Sequence, residues 1–501
     1  MSAQGFRSDI GRRARGQQQR KQESVHLGRA VSGEAPFLSR DAYNEMKMED
    51  DAPGSVPGRS AWLPFAAGLL AGAAGTVLLR ALAPRPALDP RLLSLDPEAE
   101  VPPTVVVPGL LGSQLLRPDG TQVWLNLGNA LGAHDIALPA RLPFSDSRDA
   151  LVPGGLLGVD AALPRLFGFT EYADLLDLLN DAGFKRDTDT GAPTYHVFGY
   201  DWRRDLVESA GLLGDALDLL ASKRGDPHAR FNVLGHSMGG LVARYFLRYG
   251  GAEPGGPVTW AGARRIANLV LVATPSGGSI PALDALLNGS RVGFSSTTLA
   301  APVVCHMPAL YQLLPPREAR PLLDDKGAPI DADLLDAECW ERFGWGPWSR
   351  RARTVEHDFL AAVLARSRAF QQALARQPES ACPIRVVVLG GDCLATPARA
   401  VVPKRRGGKP RLEPWSVAEA QAMLEAGDGR VTRASVLASH LDEANPDEPG
   451  CGIPEVARAF FGHADHHGIY GEPTFQSLLL RLLLQPVRAR PRGVARSLAT
   501  E

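Results

Sequence analysis

The stretch from residue 231 to 249, FNVLGHSMGGLVARYFLRY, constrains the fold of this chain more than any other. Phe231-Asn232-Val233-Leu234 is a short apolar run suited to a buried parallel strand. Met238, Leu241, Val242, Tyr245, Phe246 and Tyr249 then recur at i, i+3, i+4, i+7, i+8 and i+11, one face of a helix. Between the two runs, Gly235-His236-Ser237-Met238-Gly239 reads Gly-x-Ser-x-Gly. A chain with 52 glycines can match that spacing by chance, so the flanks decide. Strand, tight glycine-flanked turn and helix is the setting that presents a serine as a nucleophile. The plainer alternative is a βα turn whose serine only faces solvent.

The rest of the chain supports a parallel sheet. Thr104 to Val107 is a β-branched run ending at Pro108-Gly109, and 266–273 and 384–389 are further buried-strand candidates. Helical patterns lie between them, as at 171–182. This βαβ rhythm predicts an α/β fold with helices on both faces of a mostly parallel sheet. A hydrophobic share of 45% and a charged share of 22% suit a folded protein, and a net charge of −1 argues against a nucleic-acid partner. Five cysteines lack metal-ligand spacing. Cys382 and Cys393 bracket a strand and could pair in an oxidising compartment, or be buried thiols.

The N-terminal part differs. Residues 1–59 are polar and aperiodic, with a basic run at 11–22, and read as a disordered tail. Residues 61–79 carry no charge. At 1.5 Å per residue they span about 28 Å, close to a hydrocarbon core of about 30 Å. The expectation is a single-pass transmembrane helix or signal anchor over 60–82, with the catalytic domain on the non-cytoplasmic side. A cleaved signal peptide, with translation starting at Met46 or Met48, and a buried soluble helix are alternatives. A Pro-rich linker covers 83–100, a catalytic domain 101–490 and a short tail 491–501.

A serine needs a histidine base, and the base needs an acid to hold its tautomer. In an α/β-hydrolase both lie downstream of the nucleophile. The histidines His463, His466 and His467 cluster late, just before an apolar helical stretch. A metal site is the alternative use of such a cluster, and it lacks a clear carboxylate scaffold here. Two acids compete: Asp392 follows the 384–389 strand, and Asp428 sits between glycines in a tight loop. For the oxyanion, the loop after the first strand offers the Leu110 N–H, and the residue after the serine offers the Met238 N–H.

Several of these pieces together resemble the lecithin:cholesterol acyltransferase family, which includes lysosomal phospholipase A2 and phospholipid:diacylglycerol acyltransferase. VVVPGLLGSQL at 105–115 resembles its oxyanion loop, and FGYDWRRDL, with Tyr200, Asp201, Trp202 and Arg203, resembles its Tyr-Asp-Trp-Arg signature. GHSMGG, ATPSGGS at 273–279, MPALYQLLP at 307–315 and GDGRV at 427–431 follow in the family's order. The resemblance covers roughly residues 101–485. It implies Asp428 as the acid, with Asp392 as runner-up. Counting back from Glu472-Pro473 it implies His466 as the base, with His467 as runner-up. It implies Tyr200, Trp202 and Arg203 as substrate-binding or scaffold residues near the site. The family's Thr-Val-Pro after the acid is replaced by Arg430-Val431-Thr432, and no cysteine pair brackets the region after GSQL.

The resulting expectation is an α/β-hydrolase fold with a lid at about 116–165 and a cap insertion at about 280–380, and with neither metal nor organic cofactor. The lid would present apolar residues to lipid, or else form a buried cap. The cap carries Trp340, Trp345 and Trp348. The expected activity is serine acyltransferase or lipase/phospholipase chemistry on acyl lipids. The partners are a phospholipid or other acyl-lipid donor, a membrane, and a hydroxyl acceptor such as a sterol or long-chain alcohol. A carboxylesterase for soluble esters and a catalytically dead, membrane-anchored binding protein are the rival readings.

Overall fold

The computed structural model describes residues 101–124, 136–157, 171–186, 194–290, 299–349, 355–442 and 452–484. The candidate span at 61–79, the flanking segments 1–59 and 83–100, the tail 491–501 and Cys451 lie outside them. No helix among the described residues is long and apolar enough to cross a membrane.

Seven strands make the central sheet: β1 (Thr104–Val107), β2 (Lys185–Arg186), β3 (Thr194–Val197), β4 (Phe231–His236), β5 (Ile266–Val272), β6 (Arg385–Gly391) and β7 (Val456–Gly462). Their order is β7-β6-β5-β4-β1-β3-β2, and every pairing is parallel. The chain therefore lays down one half of the sheet, returns to β1, and builds the other half. β1 sits between β3 and β4 at that reversal, which is where open α/β sheets open a crevice at the carboxyl ends of their strands.

The period-two rule explains why these runs are almost wholly apolar. Val105, Val107, Val233, Leu269, Leu271, Val386 and Val388 pack into one core. Their neighbours Val106, Leu234, Val270, Val272, Val387 and Leu389 pack into a second core on the opposite face. A strand covered on both faces has no polar side to show. Helices α2 (Leu206–Lys223), α3 (Met238–Tyr249) and α4 (His357–Ala375) cover the first face. α1 (Glu171–Asp181) and α5 (Pro473–Leu483) cover the second.

The expected lid is mixed where it is described: Trp124, Ile136, Leu138, Leu156 and Leu157 are buried, whereas Leu142 and Val152 are exposed. Ser113–Leu116, Gln122–Trp124 and Val152–Leu156 form a small antiparallel sheet. Trp124 is buried, donates from Nε1 to the Leu111 carbonyl at 3.0 Å, and meets Trp202 edge-on. In the cap, Trp340 and Trp345 are core residues. Cys305, Cys339, Cys382 and Cys393 are free thiols, so the Cys382–Cys393 pair is not formed.

α3 is buried on every face, including Arg244 and Arg248. One carboxylate serves both guanidiniums: Glu455 takes Arg244 Nε at 2.6 Å and Arg248 at 2.7 Å. Burial pushes the Glu455 carboxyl upward, but the two guanidinium charges more than offset it and hold it below its ordinary value. Removing the carboxylate strands two buried cations. Glu455→Leu is expected to cost about 3–5 kcal/mol, read as a lower denaturant midpoint, with Glu455→Gln costing less.

Candidate active site

Ser237 stands between β4 and α3 at φ 51, ψ −125, a region a side chain enters only at a cost of about 1–3 kcal/mol. Its N–H is held by the Val272 carbonyl at the end of β5, at 2.7 Å. The flanking glycines are required by close backbone approach. A Cβ at Gly239 would lie 2.3 Å from the carbonyl oxygens of both Val107 and Pro108. One at Gly235 would lie 2.6 Å from Gly240 Cα. The turn can close only because both positions lack a side chain.

Ser237 Oγ lies 3.0 Å from His466 Nε2, and His466 Nδ1 lies 2.8 Å from Asp428 Oδ2. A carboxylate only accepts, so Nδ1 carries the proton and Nε2 is left bare toward the hydroxyl. The backbone repeats this tie, because His466 N–H donates to the Asp428 carbonyl at 2.9 Å. The other carboxylate oxygen, Oδ1, accepts from Val431 N–H at 2.7 Å and Arg430 N–H at 2.9 Å. Burial pushes the Asp428 carboxyl up. The charge and hydrogen bond of His466 and the two backbone donors outweigh it, leaving the group below 3.8. Gly391 makes room for both loops: a Cβ there would lie 2.0 Å from the Ala464 carbonyl oxygen and 3.0 Å from Asp428 Cβ.

A second relay joins the site from below, and the sequence carried no signal for it. His236 Nε2 faces the His466 carbonyl at 3.3 Å, so Nε2 must be the protonated nitrogen. Nδ1 then accepts from Tyr172 Oη at 2.9 Å, and the same Tyr172 oxygen accepts the Gly109 N–H at 2.7 Å. Burial, followed by the neighbouring His466 and His467, holds His236 well below its ordinary value, in keeping with a neutral ring. The relay links the backbone of His466 to the loop after β1. That loop rests on the serine, since a Cβ at Gly109 would lie 2.8 Å from Ser237 Cβ. Leu110 follows directly. Neither its N–H nor that of Met238 donates to an acceptor among the described residues.

The other expected residues separate cleanly. Tyr200, Trp202 and Arg203 are buried scaffold. Tyr200 Oη donates to the Pro108 carbonyl at 2.9 Å, and Trp202 Nε1 to the Ser113 carbonyl at 3.1 Å. Arg203 is held by Asp201 and Asp149. These contacts hold the loop after β1 and engage polar atoms of all three side chains. Asp392 pairs with Arg433 at 3.1 Å rather than with a histidine. His467 is exposed and packs edge-on against His466, and its N–H binds Asp465. His463 is exposed as well.

Two cavities lie nearby, of about 390 Å³ and 210 Å³. Both are lined by Gly278, Glu318 and His440, and the larger borders the acid loop at Arg430 and Thr432. Neither is lined by Ser237 or His466, so neither is assigned to the reacting group. No group of residues suited to hold a metal ion occurs among those described.

Tyr172→Phe leaves the Gly109 N–H and His236 Nδ1 without their buried partner. It is expected to cost roughly 1–3 kcal/mol of stability and to slow labelling of Ser237 by a fluorophosphonate probe. The depressed Asp428 carboxyl contributes stability in full above its unfolded value and loses it as pH falls through the folded one. The midpoint difference between wild type and Asp428→Asn should therefore shrink progressively as pH falls below about 5.

No curated protein sequence matches the chain. Among solved structures, the Tle4-Tli4 complex matches at 14% identity, covering 77% of this chain and 98% of that one, with a TM-score of 0.46. The mature lipase BlEst2 of Bacillus licheniformis matches at 11% identity, covering 80% and 95%, with a TM-score of 0.31. Phospholipase PlaB of Legionella pneumophila matches at 13% identity, covering 58% and 39%, with a TM-score of 0.25. A family model does match: Lecithin:cholesterol acyltransferase, over residues 152–330. That stretch holds the Tyr200-Asp201-Trp202-Arg203 signature, the Ser237 turn and the ATPSGGS and MPALYQLLP motifs, whereas Leu110, Asp428 and His466 lie outside it. Over residues 152–330 the chain carries the sequence pattern of the lecithin:cholesterol acyltransferase family.

Proposed function

We propose that this protein is a serine-dependent acyltransferase or phospholipase acting on acyl lipids. The observation that carries the reading is the continuous line from Ser237 Oγ through His466 to Asp428, at 3.0 Å and 2.8 Å. The family match over 152–330 supports the lipid substrate class.

Ser237 Oγ attacks the ester carbonyl carbon while His466 Nε2 takes its proton. Asp428 fixes the His466 tautomer and stabilises the imidazolium. The Leu110 and Met238 N–H groups donate to the developing oxyanion, Met238 from the first turn of α3. The tetrahedral adduct collapses, the ester C–O bond breaks, and His466 protonates the departing alcohol. The acyl group is then on Ser237. His466 next deprotonates the acceptor, which attacks the acyl carbon; the Ser237 Oγ–acyl bond breaks and His466 returns the proton to Ser237 Oγ. A lipid hydroxyl, such as that of a sterol or long-chain alcohol, gives transfer, and water gives hydrolysis. Residues 61–79 are proposed to tether the catalytic domain to a membrane as a single-pass anchor, with that domain on the non-cytoplasmic side.

Incubation of the full chain with mixed phospholipids and a sterol or long-chain alcohol, followed by mass spectrometry of lipids, tests the reading. Acylated alcohol, or free fatty acid with lysolipid, should form with wild type and vanish with Ser237→Ala. Asp428→Asn should keep the fold and lose about 10⁴-fold in kcat. A product that persists in Ser237→Ala, or no lipid product at all, overturns it.

A further inference from the structure

We propose that the insertion between β6 and Asp428 docks onto the surface of an anionic lipid bilayer through Trp415 and Val417 and a collar of cations at 404–411. The insertion leaves the carboxyl end of β6 and returns to Asp428, so both its ends sit at the rim that carries Ser237 and His466. A hairpin forms its base, with Leu394–Pro397 antiparallel to Leu424–Gly427.

Trp415 is 81% exposed and Val417 76% exposed, far above the other large apolar side chains at the surface. Leu394, 39% exposed, stands at the base of the insertion beside the Asp428 loop, where its Cδ1 lies 3.4 Å from the Cβ position of Gly429. The indole is fixed in its outward pose. Glu419 accepts from both Arg411 guanidinium nitrogens at 2.9 Å and from the Trp415 backbone N–H at 2.6 Å. The Arg411 guanidinium lies over the indole, 3.8 Å from the ring centroid. The Arg411 contact holds one face of the indole, but most of its apolar surface stays in water, and covering that surface is where the further gain lies.

The charges beside it identify the cover. Lys404, Arg405, Arg406, Lys409 and Arg411 stand against only Glu413 and Glu419 in the same segment. Across the fold, Asp325 takes Lys404, and the Glu341 carbonyl takes Arg406. Arg405 and Lys409 are exposed and have no side-chain partner among the described residues. An indole at the level of the headgroups, ringed by cations facing lipid phosphates, is the arrangement that an anionic bilayer stabilises. A protein partner or a second copy would need a wider apolar face than Trp415 and Val417 supply. Docking in this pose brings the rim bearing Ser237 to the lipid. That consequence rests on the lipid reading of the site; the docking itself does not.

The test uses the full chain with vesicles of phosphatidylglycerol and phosphatidylcholine containing a doxyl-labelled lipid. The doxyl group quenches indoles within the bilayer. Wild type should show a quenched component that Trp415→Phe lacks, whatever residues 61–79 contribute to both. Replacing Lys404, Arg405, Arg406 and Lys409 with Gln should raise the vesicle concentration for half-maximal rate by about tenfold or more, and leave turnover of a soluble short-chain ester unchanged. High salt should mimic the change. Equal quenching in wild type and Trp415→Phe overturns the proposal, as does a concentration-dependent dimer that shields Trp415 from the lipid. Trp415 quenching without Ser237-dependent lipid turnover would sustain the docking surface and sink the proposed function. Turnover without Trp415 quenching would do the reverse.

Discussion

The backbone of Ser237 can stand at positive φ only because β1, β4 and α3 come within carbonyl contact of one another. Val107 and Pro108 press their carbonyls against the Cα of Gly239, and Gly235 presses on Gly240. That contact sets the height of the loop after β1 relative to the serine, and with it the position of the Leu110 N–H. It also drives α3 straight into the core, where the helix brings Arg244 and Arg248 out of water. The Glu455 carboxylate is therefore a consequence of the turn: a helix buried this deeply can carry cations only if a neighbour neutralises them. The site is tied to the core on one side by α3 and on the other by the Tyr172–His236 relay.

That relay changes how the geometry at His466 should be understood. The His466 ring is oriented by Asp428, and its backbone carbonyl by His236. The loop that carries it is thus held at two atoms, from two different strands. Because His236 donates from Nε2, the direction of every hydrogen bond down to Gly109 follows from one carbonyl. The histidine inside the Gly-x-Ser-x-Gly motif is not a spacer. It connects the loop that carries His466 to the loop after β1 that carries Leu110.

What the sequence made legible follows from distance along the chain. The strand, turn and helix around Ser237 are local, and their two periodicities predict the observed elements almost residue for residue. The family resemblance separates His466 from His467 by a count back from Glu472-Pro473. The structure gives that spacing a physical meaning: Glu472 caps α5, accepting the Phe475 N–H at 2.8 Å, so the count fixes the loop length before the helix. Asp392 and Asp428 were not separable by local chemistry, because both follow strands. Arg433 makes the difference: it lies five residues after Asp428 but pairs with Asp392, 41 residues before it, and no local window shows that pairing. The same limit hid Tyr172, which lies 64 residues from its partner His236, and Glu455, which lies 211 from Arg244. The lid expectation was ambiguous for another reason. An apolar segment reads the same whether it faces lipid or core, and Trp124 finds its partner in Trp202, outside its own segment.

The two ends of the machinery are built from different kinds of constraint, and this bears on specificity. Ser237, Gly109 and the Tyr200-Trp202-Arg203 block are locked by buried hydrogen bonds with few atoms left over, so the reacting geometry has little freedom to adapt. The acid side is different. Asp428 sits at the foot of a long surface insertion, its loop borders the larger cavity with Arg430 and Thr432, and its neighbour Leu394 is partly solvated. Changes in such a loop alter what approaches the serine without disturbing how the serine reacts. On the proposed function, selectivity among acyl donors and acceptors is therefore expected to reside in the Asp428 side of the rim, and the chemistry in the turn at Ser237.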